Sequence, residues 1–221
     1  MLWKKVENLK KSIVLPGNIL VSSLKPKEVV WLIHSLKEWY PGIHVGNESK
    51  FIESATYRKE CFLRKGQERN PYYPIVFHSN GNPVGVMVLA KEDRSLRISG
   101  ITGAVNPLHR GLGFASAGPY LVETLGRAIG AELAYYYGSL QFPQTQIAAE
   151  KMGFSLVGIL PAFELDIRKG RHGNIRTGRV TEAMYAKVLV KRSRLILPNL
   201  SSLTPKTQKV WTAIFGKSPS D

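Results

Sequence analysis

The apolar positions along this chain change period several times, and the changes lay out its elements. After Pro26, a residue suited to a first helical turn, Val29, Leu32, Ile33, Leu36 and Trp39 recur at helical spacing until Tyr40-Pro41-Gly42 stops the run, which predicts a helix over 26–39. A second helix is expected over 48–65, with Phe51, Ile52, Ala55, Cys61 and Phe62 on a less regular stripe, a charged opposite face, and Gly66 at its end. From Tyr72 to His78 aromatic and branched residues dominate, Asn80-Gly81-Asn82 is turn chemistry, and Pro83 to Ala90 is apolar again, so the two segments read as a hairpin. A further strand runs from about Leu96 to Val105, anchored by Leu96, Ile98 and Ile101. A glycine-rich turn then opens an amphipathic helix over 113–130 that carries Leu121, Val122, Leu125 and Ile129 inward. A strand is expected over 132–137, a short helix over 145–152 closed by Gly153, and a strand over 154–160. A polar loop over 168–178 and a last strand over 180–190 follow.

Strands first, then helix, strand, helix and two strands, describe a mixed α/β sheet flanked by helices rather than a bundle or a barrel. At 221 residues and 43% hydrophobic content the chain has apolar material for one full core, not two large ones. Residues 1–20 read as an N-terminal extension, 20–190 as the domain, and 191–221 as a basic tail rich in Ser, Pro and Thr with one short helix over 207–215. Cys61 is the single cysteine and has no partner within the chain, and no secretory pattern opens the sequence, so a cytoplasmic setting is expected. No apolar run reaches the roughly 20 residues that spanning a bilayer requires. The five histidines are scattered and no Cys or His pair has ligand spacing, so no metal is expected.

Charge changes the picture more than composition does. With 31 Lys and Arg against 16 Asp and Glu the formal net charge is +15, a field that draws polyanions, nucleotide cofactors included. A solvated basic surface explains most of it, and a nucleic-acid binder without a coenzyme would rest on charge alone.

The chemistry concentrates in Arg110-Gly111-Leu112-Gly113-Phe114-Ala115. Glycines there let the backbone turn sharply and approach a ligand, while the helix that follows points free N–H groups and a partial positive charge into the same loop, which makes an anion cradle. His109 and Arg110 stand at its mouth. The loop matches the signature Arg or Gln-x-x-Gly-x-Gly or Ala of the GNAT superfamily of acyl-coenzyme A-dependent N-acyltransferases, placed after a strand and Val105-Asn106-Pro107 as in that family. Downstream, Pro143 to Phe154 followed by Gly158-Ile159-Leu160-Pro161 resembles the family's second motif, a short helix ending in Gly-Phe before a strand. The resemblance covers 96–162 by motif and 20–190 by order of elements.

The resemblance implies a GNAT fold and a transfer of an acetyl or longer acyl group from acyl-CoA to an amine, in a ternary complex. It implies that the backbone of Arg110, Gly111, Leu112, Gly113, Phe114 and Ala115 binds the pyrophosphate, and that the strand near Ala104 and Val105 pairs with the pantetheine arm. Two family features are missing. Residues 94–105 hold no carboxylate to act as base, and the position of the tyrosine that protonates the departing sulfur is Ala149. Replacements are sought on neighbouring strands: Tyr135 and Tyr137, which alternation puts on one face with Tyr136 on the other, and Glu182 in Arg179-Val180-Thr181-Glu182. The acceptor and the oligomeric state are not legible; the basic surface suits an anionic acceptor such as an aminoacyl-tRNA. The competing reading is a coenzyme-binding regulatory module that has lost turnover, for which Ala149 and the bare strand speak.

Overall fold

The computed structural model describes residues 1–3, 13, 15, 19–62, 70–111, 113–169 and 175–216. Strands β1 (Leu20–Ser23), β2 (Tyr72–Ser79), β3 (Asn82–Glu92), β4 (Arg97–Val105), β5 (Leu133–Ser139), β6 (Ser155–Lys169) and β7 (Ile175–Val188) form one sheet in the order β1-β2-β3-β4-β5-β7-β6. Neighbours are antiparallel except β4 and β5, which run parallel. A parallel pair needs a crossover, and α2 (Phe114–Ile129) supplies it. The other helices are α1 (Val29–Trp39), α3 (Pro143–Lys151) and α4 (Pro205–Phe215).

Strand alternation divides the apolar residues between two cores. Ile75, Phe77, Leu89, Ile98 and Ala134 pack with Leu121, Val122, Leu125 and Ile129 of α2, the four residues the periodicity turns inward. Val76, Val86, Val88 and Ala104 pack on the opposite face with Leu32, Leu36 and Trp39 of α1 and with Ile43 and Phe51. Burying one such leucine contributes about 1.5–3 kcal/mol relative to leaving it exposed.

Two expected elements take a different form. The helix expected over 48–65 is a broken coil: a 3-10 turn over Asn47–Ile52, one α turn over Ser54–Thr56 and a π turn over Tyr57–Cys61, with its end, 63–69, outside the described residues. The irregular stripe is the reason. Phe51, Thr56, Tyr57 and Cys61 are the buried residues of this stretch, a spacing that no single α-helix presents on one face, and the Tyr57 hydroxyl donates to the Phe51 carbonyl (2.6 Å) where the chain turns. The polar loop expected over 168–178 is mostly strand: β6 and β7 stay paired from Glu164↔Val180 to Lys169↔Ile175, and 170–174 lie outside the described residues. The helix expected over 207–215 starts earlier, at Pro205, because the Thr204 hydroxyl caps it by accepting from the Thr207 amide (3.2 Å).

Candidate active site

The loop between β4 and α2 is built to leave backbone donors exposed. Asn106 accepts from the Leu108 amide (3.0 Å) and starts a 3-10 turn over Pro107–His109; Arg110 is extended; Gly111 and Gly113 both have φ of +89°, a conformation in which a side chain would be strained. A Cβ on Gly111 would meet nothing within 4 Å, so the backbone faces open space there. Helix α2 begins at Phe114, which anchors the turn by packing its ring on Phe77 (5.6 Å between centroids), and the first-turn amides of Phe114 and Ala115 point back toward the glycines. Leu112 lies outside the described residues. The Arg110 side chain turns away from the cradle: its Nη2 donates to the Trp39 carbonyl (3.1 Å) at the end of α1, where a cation also complements the helix dipole.

One strand further in, β4 and β5 separate. They pair only at Arg97↔Leu133, Ile98↔Ala134 and Ser99↔Tyr135. The cause lies on the other edge of β4. Against β3 the register steps from Val88↔Thr102 to Leu89↔Gly100, so Ile101 is an extra residue, and such a bulge bends the strand that carries it. Apart from the bulged Ile101, residues 100–105 stay paired with β3 while their β5-facing edge is left open, and Ala104 and Val105 lie on that stretch. The gap leads from the glycine loop to a vertex at Gly100 and Tyr136.

On the α1 face of this vertex the bulge presents Thr102, whose hydroxyl donates to Glu48 Oε2 (3.1 Å). The Tyr40 hydroxyl bonds to the same carboxylate. The Glu48 carboxyl is raised from 4.5 to about 7: burial pushes it up most, the bonds from Tyr40 and Thr102 pull it down, and Glu164 and Glu182 push it up. Glu182 is raised as well, by burial and by Glu164, and Tyr40 is raised by burial and by Glu48. The β6–β7 arm closes this side: Glu164 Oε1 accepts from the Asn47 amide (3.2 Å) and its own neighbour Leu165 (3.1 Å), and Asp166 accepts from the Ile167 amide (2.8 Å). Gly46 (φ +73°) and Gly42 allow the approach, since a Cβ on Gly46 would collide with the Glu164 carboxylate and one on Gly42 would stand 2.5 Å from Asp166 Oδ1. Among the described residues none of Glu48, Glu164, Asp166 and Glu182 is paired with a Lys or Arg. No group of His, Cys, Asp and Glu among the described residues could hold a metal ion.

The three consecutive tyrosines separate as alternation requires. Tyr137 stacks on Phe163 of β6 (5.4 Å, 13°), with burial, Tyr135 and Glu182 raising its pKa. Tyr135 stands in the last β4–β5 pair with Arg97 over its ring (5.8 Å). Tyr136 turns to the α2 face, against Phe154. Ala149 is fully buried among core residues on that same face. The structure thus brings Tyr137 and Glu182 together with Glu48, Tyr40 and Thr102, none of which the sequence singled out.

No protein-family model matches the chain, and no curated protein matches it in sequence. Solved structures do. A Salmonella typhimurium protein assigned as an acetyltransferase, solved with acetyl-CoA as its cofactor, superposes with a TM-score of 0.56 at 12% identity over 82% of this chain and 98% of its own. The spermidine/spermine N-acetyltransferase SpeG of Vibrio cholerae gives 0.57 at 13% identity over 77% and 94%. The ribosomal-protein-S18-alanine N-acetyltransferase of Escherichia coli gives 0.55 at 13% identity over 81% and 99%. With its bulged and splayed β4, its glycine loop opening α2, and these neighbours, the chain has the fold of the GNAT N-acetyltransferases.

Proposed function

We propose that this chain transfers an acyl group from acyl-CoA to the amine of a cationic acceptor, with Glu48 as the base. The observation that carries the reading is the Glu48 carboxylate, held beside the β4 bulge by Thr102 and Tyr40 and poised near neutral pH. A base is most useful when its pKa lies near the working pH. Glu48 thereby supplies from the α1 side the group that residues 94–105 lack.

The residues present fit an acyl-CoA. The amides of Gly111, Gly113, Phe114 and Ala115 would hold the pyrophosphate at the start of α2, and the open β4 edge at Ala104 and Val105 would pair with the pantetheine arm. The thioester supplies the activated acyl carbon. Glu48 then takes a proton from the acceptor ammonium, the neutral amine nitrogen attacks the thioester carbon, and the C–N bond forms as the C–S bond breaks. Tyr40 and Thr102 keep the Glu48 carboxylate oriented for this task.

Four carboxylates without a Lys or Arg partner among the described residues favour a positively charged acceptor over an anionic one, despite the +15 of the whole chain. One neighbour of the same fold is named for acetylating spermidine and spermine, whose amines are of this kind. The test is thiol release from acetyl-CoA in the presence of polyamines, lysine-ended peptides or aminoacyl-tRNA. Turnover with the cationic amines supports the reading; turnover with aminoacyl-tRNA alone contradicts it.

A further inference from the structure

The acyl-transfer reading leaves the departing sulfur without a proton donor, because Ala149 stands where the family's tyrosine would be. The α2 face of the vertex contains a candidate that came from a different element. Tyr136 is the first residue of β5 beyond the last β4–β5 pair, and Gly100 is the first of β4. The Tyr136 ring crosses over Gly100, where a Cβ would lie 3.5 Å from it, and reaches Gly118 of α2, where a Cβ would lie 2.6 Å from the hydroxyl and 3.0 Å from the ring. Two glycines therefore make the space this side chain occupies. Among the described residues its hydroxyl has no hydrogen-bond partner, in contrast to Tyr57 on the Phe51 carbonyl (2.6 Å) and Tyr185 on Glu150 (2.9 Å). A hydroxyl of another kind lies two residues along the same face of β5: among the described residues Thr145 Oγ1 of α3 is buried without a partner, 3.1 Å from a Cβ built on Gly138. A buried hydroxyl without a partner, as at Thr145, costs free energy unless a ligand completes it, whereas the unpartnered Tyr136 hydroxyl is not closed off from the vertex.

We infer that Tyr136 is the acid of the reaction, donating its phenolic proton to the coenzyme A sulfur as the C–S bond breaks. This rests on the acyl-transfer reading. The electron pair of the C–S bond goes to sulfur, the Tyr136 O–H proton follows it to give the free thiol, and the phenolate regains a proton from solvent, to which Glu48 has passed the proton removed from the amine. Thr145 donates to a polar atom of the pantetheine arm on the same face. Burial raises Tyr136 to about 12, so the phenol carries its proton at the pH of the reaction.

The test compares wild type with Tyr136→Phe in steady-state transfer and in calorimetric binding of CoA and desulfo-CoA at pH 8.5. The expected result is a kcat lowered by about tenfold to a hundredfold with the acyl-CoA KM little changed. Wild type should prefer CoA over desulfo-CoA by about tenfold, a preference that Tyr136→Phe loses while its desulfo-CoA affinity is kept. The thermal midpoint should hold or rise, because the lost hydroxyl had no partner. A kcat within twofold of wild type, an equal loss of both ligands, or a lower thermal midpoint would overturn the assignment alone. Wild type that binds neither ligand would overturn the acyl-CoA reading and the assignment with it.

Discussion

In the proposed reaction, the coenzyme side and the acceptor side of the vertex are built in opposite ways. The coenzyme side is local: eleven consecutive positions, Val105 to Ala115, hold the strand end, the two left-handed glycines and the helix start, and its donors are backbone amides. The acceptor side is assembled from side chains far apart in sequence, with Tyr40 and Glu48 after α1, Thr102 on β4, Tyr137 on β5, Glu164 and Asp166 on β6 and Glu182 on β7. A site made of backbone tolerates sequence change everywhere except at its glycines. A site made of side chains changes its chemistry with each substitution. The same fold can therefore keep one donor and accept many acceptors.

The comparison breaks most visibly at Gly113. Gly113→Val puts a branched side chain at φ +89° in the loop, and acyl-CoA affinity is expected to fall by at least about a hundredfold while the chain remains folded. Unchanged calorimetric affinity in a folded variant would remove the cradle from the account. Next comes Glu48→Gln, which keeps the bonds to Tyr40 and Thr102 in reach but cannot take a proton; kcat should fall by about a hundredfold or more with acyl-CoA binding unaltered. The same variant should be more stable than wild type at pH 8. A carboxylate whose folded pKa is raised from 4.5 to about 7 weakens the folded state as pH climbs through that interval, and the neutral amide removes the effect, which thermal melts at pH 5 and pH 8 would display.

Gly46→Ala sharpens the contrast from the acceptor side. It introduces a side chain at φ +73° against Glu164, so the β6–β7 arm must shift, and the acceptor KM should rise by about threefold to tenfold with the acyl-CoA KM unchanged. The smallest effect is expected from Arg110→Ala. Its guanidinium holds the Trp39 carbonyl rather than pointing into the cradle, so coenzyme affinity should change by less than about threefold, with a modest loss of stability from the end of α1.

How much of this was legible follows from the same division. The glycine loop, α2 with its four inward residues, and the facing of Tyr135 and Tyr137 opposite Tyr136 all follow from periods of 3.6 and 2.0 and from turn chemistry that acts between neighbours. Glu48 was not legible. It stands in a stretch whose charges read as the solvated face of a helix, and the break at Glu53, which is extended, depends on where Phe51 and Tyr57 find space in the core. The bulge at Ile101, which creates both the vertex and the position of Thr102, has no local signal either. It is a mismatch between two strands, visible only once β3 and β4 are paired. The extent of β6 and β7 escaped for a similar reason, since polar residues such as Arg176 and Thr177 read as loop until their cross-strand partners are known.

The most direct measurement is the pH dependence of acceptor kcat/KM for wild type and Glu48→Gln, followed by thiol release from acetyl-CoA with the best cationic amine between pH 5.5 and 8.5. Wild type should rise through a pH near 7 and then gain less per unit, with Glu48→Gln far lower and lacking that inflection. Parallel profiles of similar height, or no amine-dependent thiol release from wild type at any pH, would contradict the claim that Glu48 drives acyl transfer at this site.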